Sequence, residues 1–258
     1  MSLSTIQILL FYLAGGTYAG DSSVHVKANF SCTQLNVLLY DSIVWKNHKP
    51  DYKVFYDAIR GYNSIQDSLH VFNKPLLTII DFSKPSTDKR LWVIDLESRK
   101  VLFNTFVAHG RNSGNVIPTK FSNRCESFES SLGFYKTGST YSGKHGLSLK
   151  LHGLEDGIND QAERRSIVMH GADYVSERFI ANSGRLGRSQ GCPAVSMQIH
   201  KELINFIKDQ TCLFIYHTDT TYFKQSKIFI HKDSEQIVTS HPSAPQTDLN
   251  FSNNLLYW

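Results

Sequence analysis

One cysteine of this chain lies in a short glycine-flanked turn, Ser189-Gln190-Gly191-Cys192-Pro193-Ala194-Val195, and a histidine, His170, precedes it by 22 residues. A thiol attacks only as its thiolate, and an ordinary cysteine with a pKa of ~8.5 is mostly protonated at neutral pH. A nearby imidazole can take that proton, and the ion pair that results favours the charged sulfur. Glycine at 191 lets the chain turn tightly and brings the peptide N–H groups of Gly191 and Cys192 near a reacting centre. Those are the parts of a cysteine acyl-transfer site, with Cys192 as nucleophile, His170 as general base and acid, and Ser189 orienting His170 or capping the turn. A lone cysteine is more often a small buried hydrophobe, and spacing in sequence says nothing about distance in space.

A second chemistry competes at this level. Histidine is followed by glycine four times, at His109-Gly110, His145-Gly146, His152-Gly153 and His170-Gly171. Three imidazoles and a water can make a hydrolytic zinc centre, although no His-Glu-x-x-His or other tight ligand pair is present. The four cysteines, Cys32, Cys125, Cys192 and Cys212, have no metal-ligand spacing either, so no metal or other cofactor is expected. With Cys192 kept free, the other three allow at most one disulfide.

The elements that must position these residues are legible in part. Leu35, Leu38, Leu39 and Ile43 recur at helical spacing, with Ser31 and Thr33 as caps. A second helix is predicted from Asp51 to Gly61, with Val54, Phe55, Ala58, Ile59 and Tyr62 on one face and Gly61 as its stop. Together they form an N-terminal helical region over residues 24–73. Beyond Pro75 and Pro85 the pattern turns to strands. Leu91 to Leu96 and Val101 to Val107 read as a hairpin, and the polar loop His109 to Gly114 is long enough to line a site. Further strands are expected at Ser131 to Thr137, Leu147 to Leu151, Ser166 to Met169 and Cys212 to His217. A helix capped by Ser196 presents Ile199, Leu203, Ile204 and Ile207 to the core. Residues 220–258 read as a polar, irregular peripheral appendage with a weak strand at Ile228 to Ile230.

The chain has 258 residues, 41% hydrophobic and 12% aromatic, enough for one large domain with a sizeable core. Its net charge of +4, without a clustered Lys/Arg run, does not argue for nucleic acid as a partner. Ile6 to Ala14 is apolar and Thr17-Tyr18-Ala19 resembles a cleavage site, so residues 1–19 read as a signal peptide, although no Lys or Arg precedes the apolar run. No later segment is a transmembrane candidate, so no integral membrane segment is expected in the mature form.

From Gly184 through Val195 (Gly184-Arg185-Leu186-Gly187-Arg188-Ser189-Gln190-Gly191-Cys192-Pro193-Ala194-Val195), joined to His170-Gly171-Ala172-Asp173-Tyr174-Val175-Ser176, the sequence resembles the murein L,D-transpeptidase catalytic-domain family, as a divergent branch of the YkuD-type enzymes. The similarity runs from about Lys74 to Tyr216, with support from Ser131 to Tyr135, Gly143 to Leu149 and Gly153 to Asp160. It implies an α+β, β-rich YkuD-like catalytic domain over residues 74–219, carrying the small N-terminal helical layer. It also implies a bacterial enzyme, periplasmic or secreted and expected to be a monomer, that works on peptidoglycan stem peptides. In such enzymes the cysteine attacks the carbonyl before the terminal D-alanine, and the thioester is resolved by an amine or by water. The sequence departs from the wider group, where Ser/Thr-His-Gly precedes the cysteine: Gln190 replaces that histidine, and Pro193-Ala194 follows. The usual substrate-carboxylate contacts are therefore in doubt, with Arg188 and Arg185 as the nearest replacements. Gly171, Tyr135, His145, His152 and Gly153 complete the candidate substrate-binding residues; core placement suits Tyr135, His145 and His152 equally well. Two other readings stay open, a zinc-dependent peptidase and a catalytically degenerate cell-wall-binding domain.

Overall fold

A computed structural model describes residues 32–46 and 48–230. The expected signal peptide, the cap at Ser31 and the segment beyond residue 230 lie outside the described residues. Two helices, α1 (Cys32–Ser42) and α2 (Tyr52–Leu69), precede three strands, β1 (Leu76–Asp81), β2 (Leu91–Asp95) and β3 (Lys100–Thr105). After a long connection come β4 (Gly133–Gly143), β5 (Gly146–Gly153), β6 (Val168–Ala172), α3 (Glu177–Ser183), β7 (Ala194–Ser196), α4 (His200–Ile207), β8 (Cys212–Tyr216) and α5 (Thr220–Gln225). The result is a β-rich α+β fold, the class that the sequence resemblance implies.

The eight strands form one sheet in the order β3-β2-β1-β8-β4-β5-β6-β7. An antiparallel bridge between Ala108, just past β3, and Ala194 in β7 brings the two edges together, so the sheet is nearly closed. Helix α2 packs on β1 and β8, and α4 on β5 and β6. The core they enclose is continuous, with Phe55 and Ile59 of α2 buried beside Leu77, Ile79, Phe134 and Phe214. Phe134 and Phe214 stack with ring centroids 4.1 Å apart. Truncating such a buried ring costs ~3–5 kcal/mol.

Several expectations are corrected. Gly61 does not stop α2, which continues to Leu69 and ends on His70 at φ 50°. A Cβ on Gly61 would fall 2.0 Å from the Phe134 ring, so this glycine is there to let the helix lie against the sheet. Strand β1 was hidden because Leu76-Leu77-Thr78-Ile79-Ile80 is buried throughout and shows no alternation. Ser196 ends β7 instead of capping a helix, and α4 starts at His200. Residues 227–230 are helical where a strand was expected, and residues 220–230, the described part of the expected appendage, are not peripheral. Tyr222 and Phe229 are in the core, and the Tyr222 and Ser226 hydroxyls donate to the buried Glu155 carboxylate.

Candidate active site

The parallel pairing of β6 with β7 sets His170 opposite Ala194. Cys192, two residues before the start of β7, lies beside Val168 of β6. The Val168 N–H points at Cys192 Sγ at 3.4 Å, and the thiol donates to the Ser166 carbonyl at 3.6 Å. Cys192 and His170 share the wall of an open cleft of about 700 Å³.

The turn that carries the thiol is tied down residue by residue. Ser189 Oγ accepts the Gly191 N–H at 3.0 Å and donates to the Cys192 carbonyl at 2.6 Å. The Gly191 carbonyl in turn accepts the Ser130 hydroxyl at 3.0 Å. Outside the turn, the backbone of Ser189 pairs with His109 and Arg111. Gly191 has φ +120°, and a Cβ there would lie 2.8 Å from the Glu129 carbonyl. No L side chain fits that conformation comfortably. Ser189 is thus the cap of the turn and does not reach His170. The Gly191 N–H, expected as an oxyanion donor, is already taken by Ser189, whereas the Cys192 N–H has no acceptor among the described residues.

His170 is buried and its Nδ1 lies 2.9 Å from the Gly171 carbonyl. A carbonyl can only accept, so Nδ1 carries the proton and the neutral ring keeps its lone pair at Nε2. Burial lowers its pKa, and the nearby His145 and His200 add to the effect against the Gly171 bond. Burial raises the Cys192 thiol, opposed by the Val168 N–H and the Arg165 guanidinium. Both shifts run toward the uncharged forms, because burial disfavours charge on either group.

The other expected site residues divide between those in the cleft and those elsewhere. Arg188 lines it, with Nη1 donating to the Gly114 carbonyl at 3.0 Å. His145, at the tip of the β4–β5 hairpin, lines it too and stacks on His170 with centroids 4.4 Å apart. Gly171 does not face the cleft; a Cβ there would meet Met197 and His200 at 2.7 Å. Arg185 is turned away, donating to the Leu186 carbonyl. Tyr135 is a core residue whose hydroxyl donates to the Ser131 carbonyl. His152 pairs with Glu163 at 3.3 Å outside the cleft, and Gly153 leaves room for the Asn159 backbone, not for substrate.

Among the lining residues that sequence reasoning did not name as site candidates are Lys144, Arg165 and Tyr174, along with Arg111 of the loop expected to line a site. Tyr174 stood inside the quoted motif, and its phenol is pushed up to about 12 by burial, with the Cys192 charge adding to the shift. Arg165 had no signal at all in the charged run Glu163-Arg164-Arg165, which reads as a solvated face. With Arg188, these residues make the cleft cationic, against one lining carboxylate, Glu126.

The four His-Gly histidines do not converge. Buried His109 accepts a hydrogen bond from Arg90 at 2.8 Å, and burial together with that guanidinium lowers its pKa to about 3. His152 is bound to Glu163, and His145 is stacked on His170. Among the described residues no three His, Cys, Asp or Glu side chains are grouped to hold a metal, which leaves the zinc-peptidase reading without a ligand set. Cys125, Cys192 and Cys212 are free thiols.

Residues 46–216 match the family described as the L,D-transpeptidase catalytic domain, a span that takes in α2 as well as the sheet. No curated protein matches the chain. Similar solved structures include an L,D-transpeptidase from Mycobacterium smegmatis, at 10% identity and TM-score 0.35, covering 56% of this chain and 59% of that one. An L,D-transpeptidase from Stackebrandtia nassauensis has 17% identity and TM-score 0.33, covering 64% of this chain and 67% of that one. The helical cell shape determining protein Pgp2 from Campylobacter jejuni has 12% identity and TM-score 0.36, covering 62% and 56%. The chain therefore spans less than two thirds of the Mycobacterium and Campylobacter proteins.

Proposed function

This chain belongs to the L,D-transpeptidase catalytic-domain family, and from that premise we propose that it acts on peptidoglycan stem peptides through a thioester on Cys192. The observation that carries the reading is the β6–β7 register, which sets the thiol and an imidazole with an unprotonated Nε2 on one cleft wall.

In the first half-reaction His170 Nε2 takes the Sγ proton as sulfur attacks the carbonyl carbon before the terminal D-alanine. The proton held on the Ser166 carbonyl in the resting state must first swing away from it. The developing oxyanion is met by the unengaged Cys192 N–H, the donor on the reacting residue itself. As the C–N bond breaks, His170 returns the proton to the departing amine of D-alanine. In the second half-reaction an acceptor amine or water attacks the thioester and loses its proton to His170, the C–S bond breaks, and the expelled Sγ takes the proton back from the imidazolium. An amine gives a cross-link and water gives carboxypeptidase activity. Arg188, fixed at one nitrogen by the Gly114 carbonyl, has donors left for a stem carboxylate.

Such a substrate places the working enzyme at the cell wall, in the periplasm or outside the cell. Among the described residues no helix is long and apolar enough to cross a membrane. Incubation with tetrapeptide muropeptides, read by mass spectrometry, tests the proposal. Wild type is expected to release D-alanine with a cross-linked or tripeptide product, and Cys192→Ala to release none. Equal product from both would overturn it.

A further inference from the structure

Arg165 differs from the other cations of the cleft in that both terminal nitrogens of its guanidinium are bonded to protein. Nη1 donates to the Ser122 carbonyl at 2.6 Å and to Ser131 Oγ at 2.5 Å. Nη2 donates to the Glu129 carbonyl at 2.6 Å and to Ser127 Oγ at 3.1 Å. All four acceptors belong to the connection before β4, so one side chain gathers that loop against the thiol turn.

The residue after it is equally constrained. Ser166 has φ +55°, a left-handed conformation that is strained for a non-glycine residue and persists only where its surroundings impose it. Its carbonyl accepts the Cys192 thiol, and two residues on, the Val168 N–H reaches the same sulfur. A Cβ at Gly191, next to the thiol, would lie 3.4 Å from Arg165 Nη2. The loop clamp, the strained residue and both hydrogen-bond partners of the sulfur therefore fall within one short stretch, residues 165–168.

We propose that Arg165 is a positioning residue for Cys192: its four-way grip on residues 122–131 fixes the segment that holds the sulfur, and sets a positive charge beside it. The inference rests on Cys192 being the nucleophile. Lysine at this position would keep the charge, but its single ammonium cannot reproduce the planar fork across four acceptors. Glutamine would lose both.

Alkylation of Cys192 by iodoacetamide, mapped by mass spectrometry at one neutral pH and well below the unfolding temperature, tests this without any turnover. The control is Arg164→Gln, the exposed neighbour, which should react like wild type. Arg165→Gln is expected to slow alkylation about tenfold, the equivalent of one pKa unit at the sulfur. Arg165→Lys should recover part of that loss, a rescue that a merely structural role would not give. Should the Gln variant not fold, a folded Arg165→Lys with a rate below wild type supports the inference, and one at the wild-type rate overturns it. Wild-type reactivity in Arg165→Gln also overturns it, while leaving the nucleophile in place. A wild-type protein that is not alkylated at Cys192 removes the nucleophile itself, and this inference with it.

Discussion

The two walls of the cleft are built on opposite plans. The thiol turn at residues 189–192 has its serine hydroxyl, a glycine amide and three carbonyls engaged within the protein, and it is stapled to residues 109–111 and to Ser130. The facing hairpin tip carries exposed Tyr141, Lys144 and His145, and a Cβ built on Gly146 would meet nothing within 4 Å. What it sends into the site is the His145 ring, laid on His170. The chemistry therefore stands on the rigid wall, and the open wall tunes it. Changes to the first should remove activity along with stability. Changes to the second should alter pH or salt response and leave the fold alone.

Gly191→Ala should break that contrast most violently. The left-handed φ alone costs ~1–3 kcal/mol for a residue with a Cβ, and the Glu129 carbonyl leaves no room for it. A lower denaturation midpoint together with lost Cys192 alkylation is the expected outcome. Ser189→Ala comes next. It strands the buried Gly191 N–H, at ~1–3 kcal/mol, and frees the Cys192 carbonyl. Chemical denaturation should register the loss, and Ser189→Thr should restore most of it. A Ser189→Ala protein as stable and as active as wild type would mean the turn is not held as described.

On the open wall, His145→Ala should leave stability within ~0.5 kcal/mol, because the residue is exposed. Its effect belongs in the pH profile. In the proposed mechanism the neutral His170 ring is the base, and its pKa is lowered by burial and by His145. Without the His145 charge the His170 pKa rises, so the acid limb of the rate moves to higher pH. His145→Phe, which stacks without a charge, should show the same displacement. An acid limb that moves the other way contradicts the assignment. Lys144→Ala should have the smallest effect: a modest rise in KM for a carboxylate-bearing peptide, fading at high salt as exposed charges are screened. A rise that persists at high salt would point to a direct hydrogen bond instead.

The same two plans explain how much could be read in advance. The thiol turn was legible because its constraints are local. A glycine forced to positive φ and a serine that caps its own turn sit within four residues, so type and spacing reveal them. The β2–β3 hairpin was legible for a similar reason, since its strands are joined by a short turn. Contacts between distant segments leave no such trace. Arg165 acts on residues 34 to 43 positions away, and Gly61 exists for Phe134 on another element. Tyr135 and Gly153, directly opposite each other across β4 and β5, looked like pocket residues only because their motif did. The core claims the first and the Asn159 backbone the second.

The residue on which the acyl group lands is the most direct test of Cys192 as the nucleophile. Wild-type protein quenched in acid during turnover of a tetrapeptide muropeptide, then digested and mapped by mass spectrometry, should carry the tripeptide acyl group as a thioester on the peptide containing Cys192. That adduct should vanish in Cys192→Ala and build up more slowly in His170→Ala. An acyl adduct on another residue, or turnover that persists in Cys192→Ala, would contradict it.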